Sequence, residues 1–273
     1  MKGTDGVIDQ ARSRLTKLPR RGRKTDEWPL ILILTPLKDA ATSLATYQSL
    51  LESLTYPHDR ISIGLLESDS SDGTYELARK MALALNREFR GARLWKRDFG
   101  FRIPLGMHRG DPRLQRDRRA VLARSRNQLL ARALGDEDWV LWLDVDLIEF
   151  PPDIIERLLH SEKSIVQPHC VLNYGGPTFD QNAWRDHGRY HLDDLRGGPP
   201  LVPLDAVGGT MLLIQADLHR DGLIFPPVPY RPGHPKSRGG EGEIETEGLG
   251  LLAADMGETC WGLPNLEIIH RQA

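Results

Sequence analysis

Short apolar runs alternate with amphipathic stretches through the first 160 residues. Leu30-Ile31-Leu32-Ile33-Leu34 is an unbroken apolar run that stops at Thr35-Pro36, the pattern of a strand buried on both faces. Over 42–54 the residues Leu44, Tyr47, Leu50, Leu51 and Leu54 recur at helical spacing, and Pro57 ends that helix. A second strand at 61–66 closes on the acidic turn Glu67-Ser68-Asp69-Ser70-Ser71-Asp72. A helix over 74–89, a strand at 92–95, a Gly/Pro/Arg-rich loop over 98–117 and a third helix to 134 follow. Trp139-Val140-Leu141-Trp142-Leu143 is another buried strand, ending on Asp144-Val145-Asp146. Pro151-Pro152-Asp153 opens a short helix with proline in its first turn. This alternation predicts an α/β protein with a Rossmann-like, mostly parallel sheet flanked by helices. Ligands of such sheets sit beyond the carboxyl ends of the strands. Thr35-Pro36, 67–72 and 144–146 are therefore expected to share one crevice.

The second half reads differently. Strands are expected at 164–168 and 206–214. Residues 226–242, rich in proline and glycine, read as a long surface loop of the kind that is often functional. Glu245-Thr246-Glu247-Gly248 leads into a helix reaching 256, and short strands at 260–263 and 266–269 end on His270. There is no internal repeat, Walker-type loop or GxGxxG. The length of 273 residues suits a single domain over 28–273, preceded by a basic, partly disordered leader over 1–27.

Composition changes this picture in one respect. With 36 Lys/Arg against 38 Asp/Glu the net charge is −2, which excludes a uniformly basic nucleic-acid binder. The charge is segregated, however: 87–132 holds 14 Lys/Arg and four Asp/Glu. That stretch implies an anionic ligand such as a sugar nucleotide, or else a solvated helix face. Cys170 and Cys260 have no metal-ligand spacing and read as buried free thiols. The absence of an apolar run long enough for a transmembrane helix or signal peptide points to a soluble, cytoplasmic protein.

Asp144 and Asp146, two carboxylates at a strand end, suit a hard divalent cation, Mn²⁺ or Mg²⁺; the alternative is a turn with two solvated acids. Asp69 has no helix-capping role and is a candidate ligand for a nucleoside, as is Glu67; Asp72 also suits an N-cap. Arg126 shares a helix face with Leu122, Leu129 and Ala133, so it must pair with a carboxylate or a phosphate, or snorkel. His270 is a candidate metal ligand or a structural histidine. Glu245 and Glu247 suit either a site or the helix dipole. Asp205 is a candidate acceptor contact, and Gly208-Gly209 would let backbone approach a ligand closely.

In order along the chain, Leu32–Pro36, Glu67-Ser68-Asp69-Ser70, Ala123-Arg124-Ser125-Arg126-Asn127, Trp139–Asp146, Asp205–Thr210, Phe225-Pro226-Pro227, Ile244–Gly248 and Gly262-Leu263-Pro264-Asn265 with His270 resemble the fungal Golgi α-mannosyltransferases of the mannan polymerase, glycosyltransferase family 62. The resemblance implies a GT-A fold and a metal-dependent, retaining transfer of mannose from GDP-mannose, a UDP-sugar being the other donor. It implies Asp144, Asp146 and His270 as Mn²⁺ ligands. It also implies Thr35, Pro36, Glu67 and Asp69 as the nucleoside pocket, Arg124 and Arg126 as cations near the diphosphate, and Glu245 or Glu247 near the acceptor. Residues 28–160 become the nucleotide-sugar half and 161–273 the acceptor half. Two other readings remain open: a hydroxylated base of DNA as acceptor, held by the basic stretch, and a non-catalytic assembly subunit of the same fold. They differ from the first in salt-dependent DNA binding and in metal-dependent sugar-nucleotide binding.

Overall fold

A computed structural model describes residues 28–104, 106–107 and 111–272; the expected leader over 1–27 lies outside them. Among the described residues nine strands form one mixed sheet: β1 (Ile31–Leu37), β2 (Ile61–Glu67), β3 (Gly91–Lys96), β4 (Trp139–Leu143), β5 (Leu147–Glu149), β6 (Ile165–Val171), β7 (Val202–Leu204), β8 (Met211–Gln215) and β9 (Cys260–His270). The helices are α1 (Leu44–Glu52), α2 (Thr74–Glu88), α3 (Pro112–Ala133), α4 (Ile154–His160), α5 (Ala216–Arg220) and α6 (Glu245–Asp255). The strand order is β3-β2-β1-β4-β8-β6-β9-β5, with β7 also on β9.

β3, β2, β1 and β4 are mutually parallel. Their side chains alternate between two cores. Ile31, Ile33 and Leu141 pack with Tyr47, Leu51, Met81 and Leu85 of α1 and α2, while Leu32, Leu34, Val140 and Trp142 pack with Ala123, Leu129 and Leu130 of α3. Helices on both faces are why these strands read as unbroken apolar runs. Past β4 the sheet turns mostly antiparallel: β8 on β4, β6 on β8, and β5 and β7 on β9, with β6 and β9 parallel. Cys170 and Cys260 are free and buried, as expected.

Several boundaries differ from the sequence reading. β1 does not stop at Thr35-Pro36. It stays paired with β2 to Leu37, but with β4 only to Leu34, so Pro36, which lacks an N–H, lies past the last β4 pair. The 98–117 loop ends six residues early, because Asp111 accepts a hydrogen bond from the Arg113 N–H and Pro112 starts α3. α4 begins after both prolines, at Ile154. Residues 206–210 are loop rather than strand. The two expected C-terminal strands are one, β9, whose register against β6 jumps from Leu263 to Glu267, so that Pro264-Asn265-Leu266 form a bulge. β5 and β7, three residues each, are additions. The 226–242 segment carries no helix or strand, as expected, yet His234 and Ser237 within it are buried.

β5 ties the two ends of the site together. The chain leaves β4, turns through Asp144-Val145-Asp146, and pairs Leu147 with His270 on β9. The Arg271 N–H donates to the Asp146 carbonyl at 2.9 Å. Two segments 125 residues apart are thereby fixed side by side at one end of the sheet.

Candidate metal centre and its crevice

Asp144, Asp146 and His270 converge there, each offering a ligand atom within 4.8 Å of the others. His270 Nε2 lies 2.9 Å from Asp146 Oδ1, its Nδ1 is 2.7 Å from the Arg271 carbonyl, and its ring stacks on Phe179 at 3.8 Å. Both ring nitrogens face acceptors, so Nδ1–H donates to the carbonyl and Nε2–H to Asp146; with Nδ1–H held by the carbonyl, Nε2 is the atom that loss of a proton would free for a metal. Burial, with Asp146 alongside, pushes the Asp144 carboxyl up to about 6, although Arg126 pulls it down. Burial lowers the His270 imidazole, but the hydrogen bond and charge of Asp146 outweigh it and the net shift is upward. Both shifts express one condition: negative charge gathered in a partly desolvated corner. Two hard oxygen donors and one imidazole fit Mn²⁺ or Mg²⁺.

Asp144 and Asp146 open onto a crevice of about 350 Å³ walled by Pro36, Lys38, Asp39, Ser68, Phe101 and Arg118, among others. The crevice lies past the carboxyl ends of β1, β2 and β4, where the topology puts ligands. Of the residues expected in a nucleoside pocket, Pro36 lines it. Thr35 does not. It is fully buried, its hydroxyl shared with Tyr47 and donated to the Leu143 carbonyl, both at 2.7 Å, so it ties β1 to the end of β4. Glu67 is equally buried, accepting from the Ser70 N–H and facing Lys96. Asp69, at φ 55°, turns away and accepts from the Phe99 and Gly100 N–H groups, each at 2.9 Å. It anchors the segment after β3. Arg124 lines a separate cavity.

The second cluster lies behind the first. Arg126 is 2% exposed, under the ring of Phe225. It donates to Glu245, and to Asp144 and the Gly209 carbonyl, both at 3.3 Å. Burial lowers its pKa. Arg119, one heptad earlier on α3, meets Glu245 at 3.5 Å and Glu247 at 2.7 Å. The other Glu247 oxygen accepts from Trp184 Nε1 at 2.7 Å. Glu245 begins α6 at φ 61°, a left-handed conformation uncommon outside glycine; its N–H donates to the Pro226 carbonyl and its carboxylate holds two arginines.

Gly208 and Gly209 do permit close approach, but of the protein itself. A Cβ on Gly208 would lie 2.1 Å from Asp180, and one on Gly209 2.4 Å from Arg126. Asp180 accepts the N–H groups of Gly209 and Thr210 at 2.8 and 3.2 Å. Asp205 accepts from the Asp186 N–H and faces Lys236. Asp180, Arg119, Lys38, Ser68, Phe101 and Arg118 were not expected in the site. The spacing of Arg118, Leu122 and Ser125 on one α3 face, and of Arg119 and Arg126 on another, was an available signal. The basic stretch does not face the crevice as a body. Arg118 lines it and Arg126 reaches Asp144, but Arg90 pairs with Asp136 and Glu137, and Arg113 with Asp111.

A parallel β/α half continued by an antiparallel half, with an acidic pair ending the central strand, is the GT-A glycosyltransferase fold. A mannosyltransferase from Pyrobaculum calidifontis, solved with GDP-Man and Mn²⁺, matches 97% of this chain and 63% of its own at 16% identity, TM-score 0.53. GalNAc-T7, solved with UDP, GalNAc and Mn²⁺, matches 90% of this chain and 44% of its own at 13% identity, TM-score 0.52. S. aureus TarS 1-349 with UDP matches 87% and 59% at 12%, TM-score 0.50.

The chain belongs to the Anp1 family, whose model matches residues 10–196. The mannan polymerase II complex anp1 subunit of Schizosaccharomyces pombe is 30% identical over 88% of this chain and 63% of its own length. Its Saccharomyces cerevisiae counterpart is 30% identical over 88% of this chain and 54% of its own. The chain thus spans between half and two thirds of these relatives. The family resemblance read from the motifs holds. Among the described residues no helix is long and apolar enough to cross a membrane.

Proposed function

We propose that this chain is a metal-dependent, retaining glycosyltransferase that moves a hexose, mannose from GDP-mannose before a UDP-sugar, to a hydroxyl acceptor. The observation that carries this reading is the convergence of Asp144, Asp146 and His270 on one point at the mouth of the crevice. These three residues would hold Mn²⁺ or Mg²⁺, which supplies Lewis-acid neutralisation of a leaving diphosphate. Lys38 and Arg118 line the same crevice and are the cations that would meet the phosphates. Pro36, Asp39 and Ser68 would hold the nucleoside. Arg126 acts from behind: committed to Glu245, it orients Asp144 rather than meeting the donor. Glu245 and Glu247 carry no free oxygen for a base. That suits a reaction in which the leaving phosphate takes the acceptor proton.

Calorimetry with GDP- and UDP-sugars, with and without Mn²⁺, tests the reading. Metal-dependent binding of one donor is expected, lost in Asp144→Ala and Asp146→Ala while circular dichroism is unchanged. Metal-independent binding, or none, sinks it.

A second reading is favoured by those same engaged carboxylates and by relatives named as complex subunits: an assembly subunit of GT-A fold. Donor binding without turnover on any mannoside acceptor would select it.

A further inference from the structure

Beside the crevice, along the same two walls, lies a second, open cavity of about 610 Å³, lined by Arg97, Asp98, Phe99, Arg124, Asn127, Gln128 and Ala131. Its two arginines come from different walls, Arg97 just past β3 and Arg124 on α3. Neither has an ion-pair partner among the described residues. Two guanidinium groups facing one cavity, neither bound to a carboxylate, offer a phosphate charge-assisted donors from two sides.

The rest of the lining narrows the anion. Asp98 holds the Asp69 N–H on Oδ1 and brings a carboxylate to the cavity that a polyphosphate backbone would avoid but sugar hydroxyls can donate to. Gln128 supplies both a donor and an acceptor. The Asn127 amide is occupied at both ends by the Phe225 backbone, so it fixes the wall rather than the ligand. Phe99 adds an aromatic surface, with Arg97 above it at 5.6 Å. Two arginines for an oxyanion, with an acid, two amides and an aromatic ring beside them, make a polar small-ligand site.

We infer that this cavity binds a phosphorylated sugar, as a free monosaccharide or as a residue of a longer glycan, with Arg97 and Arg124 on the phosphate and Asp98 and Gln128 on the hydroxyls. The site is independent of the metal and of the donor. It shares both walls with the crevice, since Phe101 and Ser125 line the one and Phe99 and Arg124 the other.

Mannose 6-phosphate titrated in EDTA tests this. Saturable binding is expected, weakened at least about tenfold in Arg97→Ala and in Arg124→Ala, with mannose and inorganic phosphate each weaker than the sugar phosphate. Both arginines are exposed, so an unchanged melting temperature is the folding control. No saturable binding, inorganic phosphate binding as tightly as the sugar phosphate, or unchanged affinity in both variants overturns the inference. Mn²⁺-dependent nucleotide binding by Arg97→Ala is read in parallel. If that persists while mannose 6-phosphate does not bind the wild type, this site alone is wrong. If the sugar phosphate binds and no nucleotide does, the glycosyltransferase reading alone is wrong.

Discussion

Two acidic clusters sit back to back, and they hold their charge in opposite ways. Asp144 accepts from Arg126 at 3.3 Å, and Asp146 faces His270. Glu245 and Glu247 are each at most 4% exposed; Glu245 is met by Arg119 and Arg126, and Glu247 by Arg119. In the first cluster burial and a neighbouring carboxylate outweigh the arginine, and the Asp144 carboxyl is raised accordingly. The second is neutralised within the protein. A cation-binding site needs the first condition, and a buried structural brace needs the second. Sequence shows only four acids near loops; the partners decide which pair is available to a ligand.

The largest effect should come from the residue common to both clusters. Arg126→Met leaves Glu245 buried with one partner fewer and Asp144 without the guanidinium behind it. Breaking a buried pair from one side costs about 3–5 kcal/mol, so urea unfolding should show a loss of that size. Arg126→Met combined with Glu245→Leu should recover much of it, since replacing both charges removes the uncompensated one. A single variant within about 0.5 kcal/mol of wild type would mean that Arg126 does not bridge the clusters.

Glu247→Gln is milder. The amide oxygen still accepts from Trp184, while the charge facing Arg119 is lost. A drop of about 1–3 kcal/mol is expected in the same unfolding measurement, and Mn²⁺ affinity should hold within a few-fold. A large loss of metal binding with stability intact would reverse the roles assigned to the clusters.

How much of this was legible depends on where each partner lies in the chain. Asp144 and Asp146 stood out because an apolar run buried on both faces stops on them. Arg126 stood out because a charge on an apolar helix face requires a partner. Its partner Glu245 is 119 residues away, and Arg119's engagement with Glu245 and Glu247 depends on how α6 packs on α3, which no local pattern encodes. Glu67 ends β2, Asp69 lies two residues beyond it, and Thr35 sits two residues before the end of β1. Their side chains are consumed by Tyr47, Leu143, Ser70, Phe99 and Gly100, and hydrogen bonds to backbone leave no trace in residue type. β5 and β7 are too short to show a period of two. The β9 bulge at Pro264 disguised one strand as two.

The smallest effect on folding should fall on the residue with the largest effect on metal. Asp144→Asn removes a carboxylate whose native pKa, about 6, stands above its ordinary value near 3.8. A carboxyl raised in the folded state binds more protons there than in the unfolded chain between those two values. The metal-free wild type therefore loses stability through this group as pH rises from 4 to 6, and the deficit is constant above that. The group is partly exposed, so the deficit is about 1–2 kcal/mol rather than the full shift. Asparagine has no such deficit. Metal-free Asp144→Asn should accordingly melt no lower than wild type at pH 7.5, and the gap in its favour should shrink as pH falls toward 4. Adding Mn²⁺ should invert the order at pH 7.5, because the wild type alone gains stability by mass action. The same proton explains why Mn²⁺ affinity should weaken below pH 6. Thermal melts of both proteins at three pH values, with EDTA and with Mn²⁺, read all of this at once. An Asp144→Asn variant that melts well below wild type in EDTA would show that Asp144, like Glu245, serves the fold.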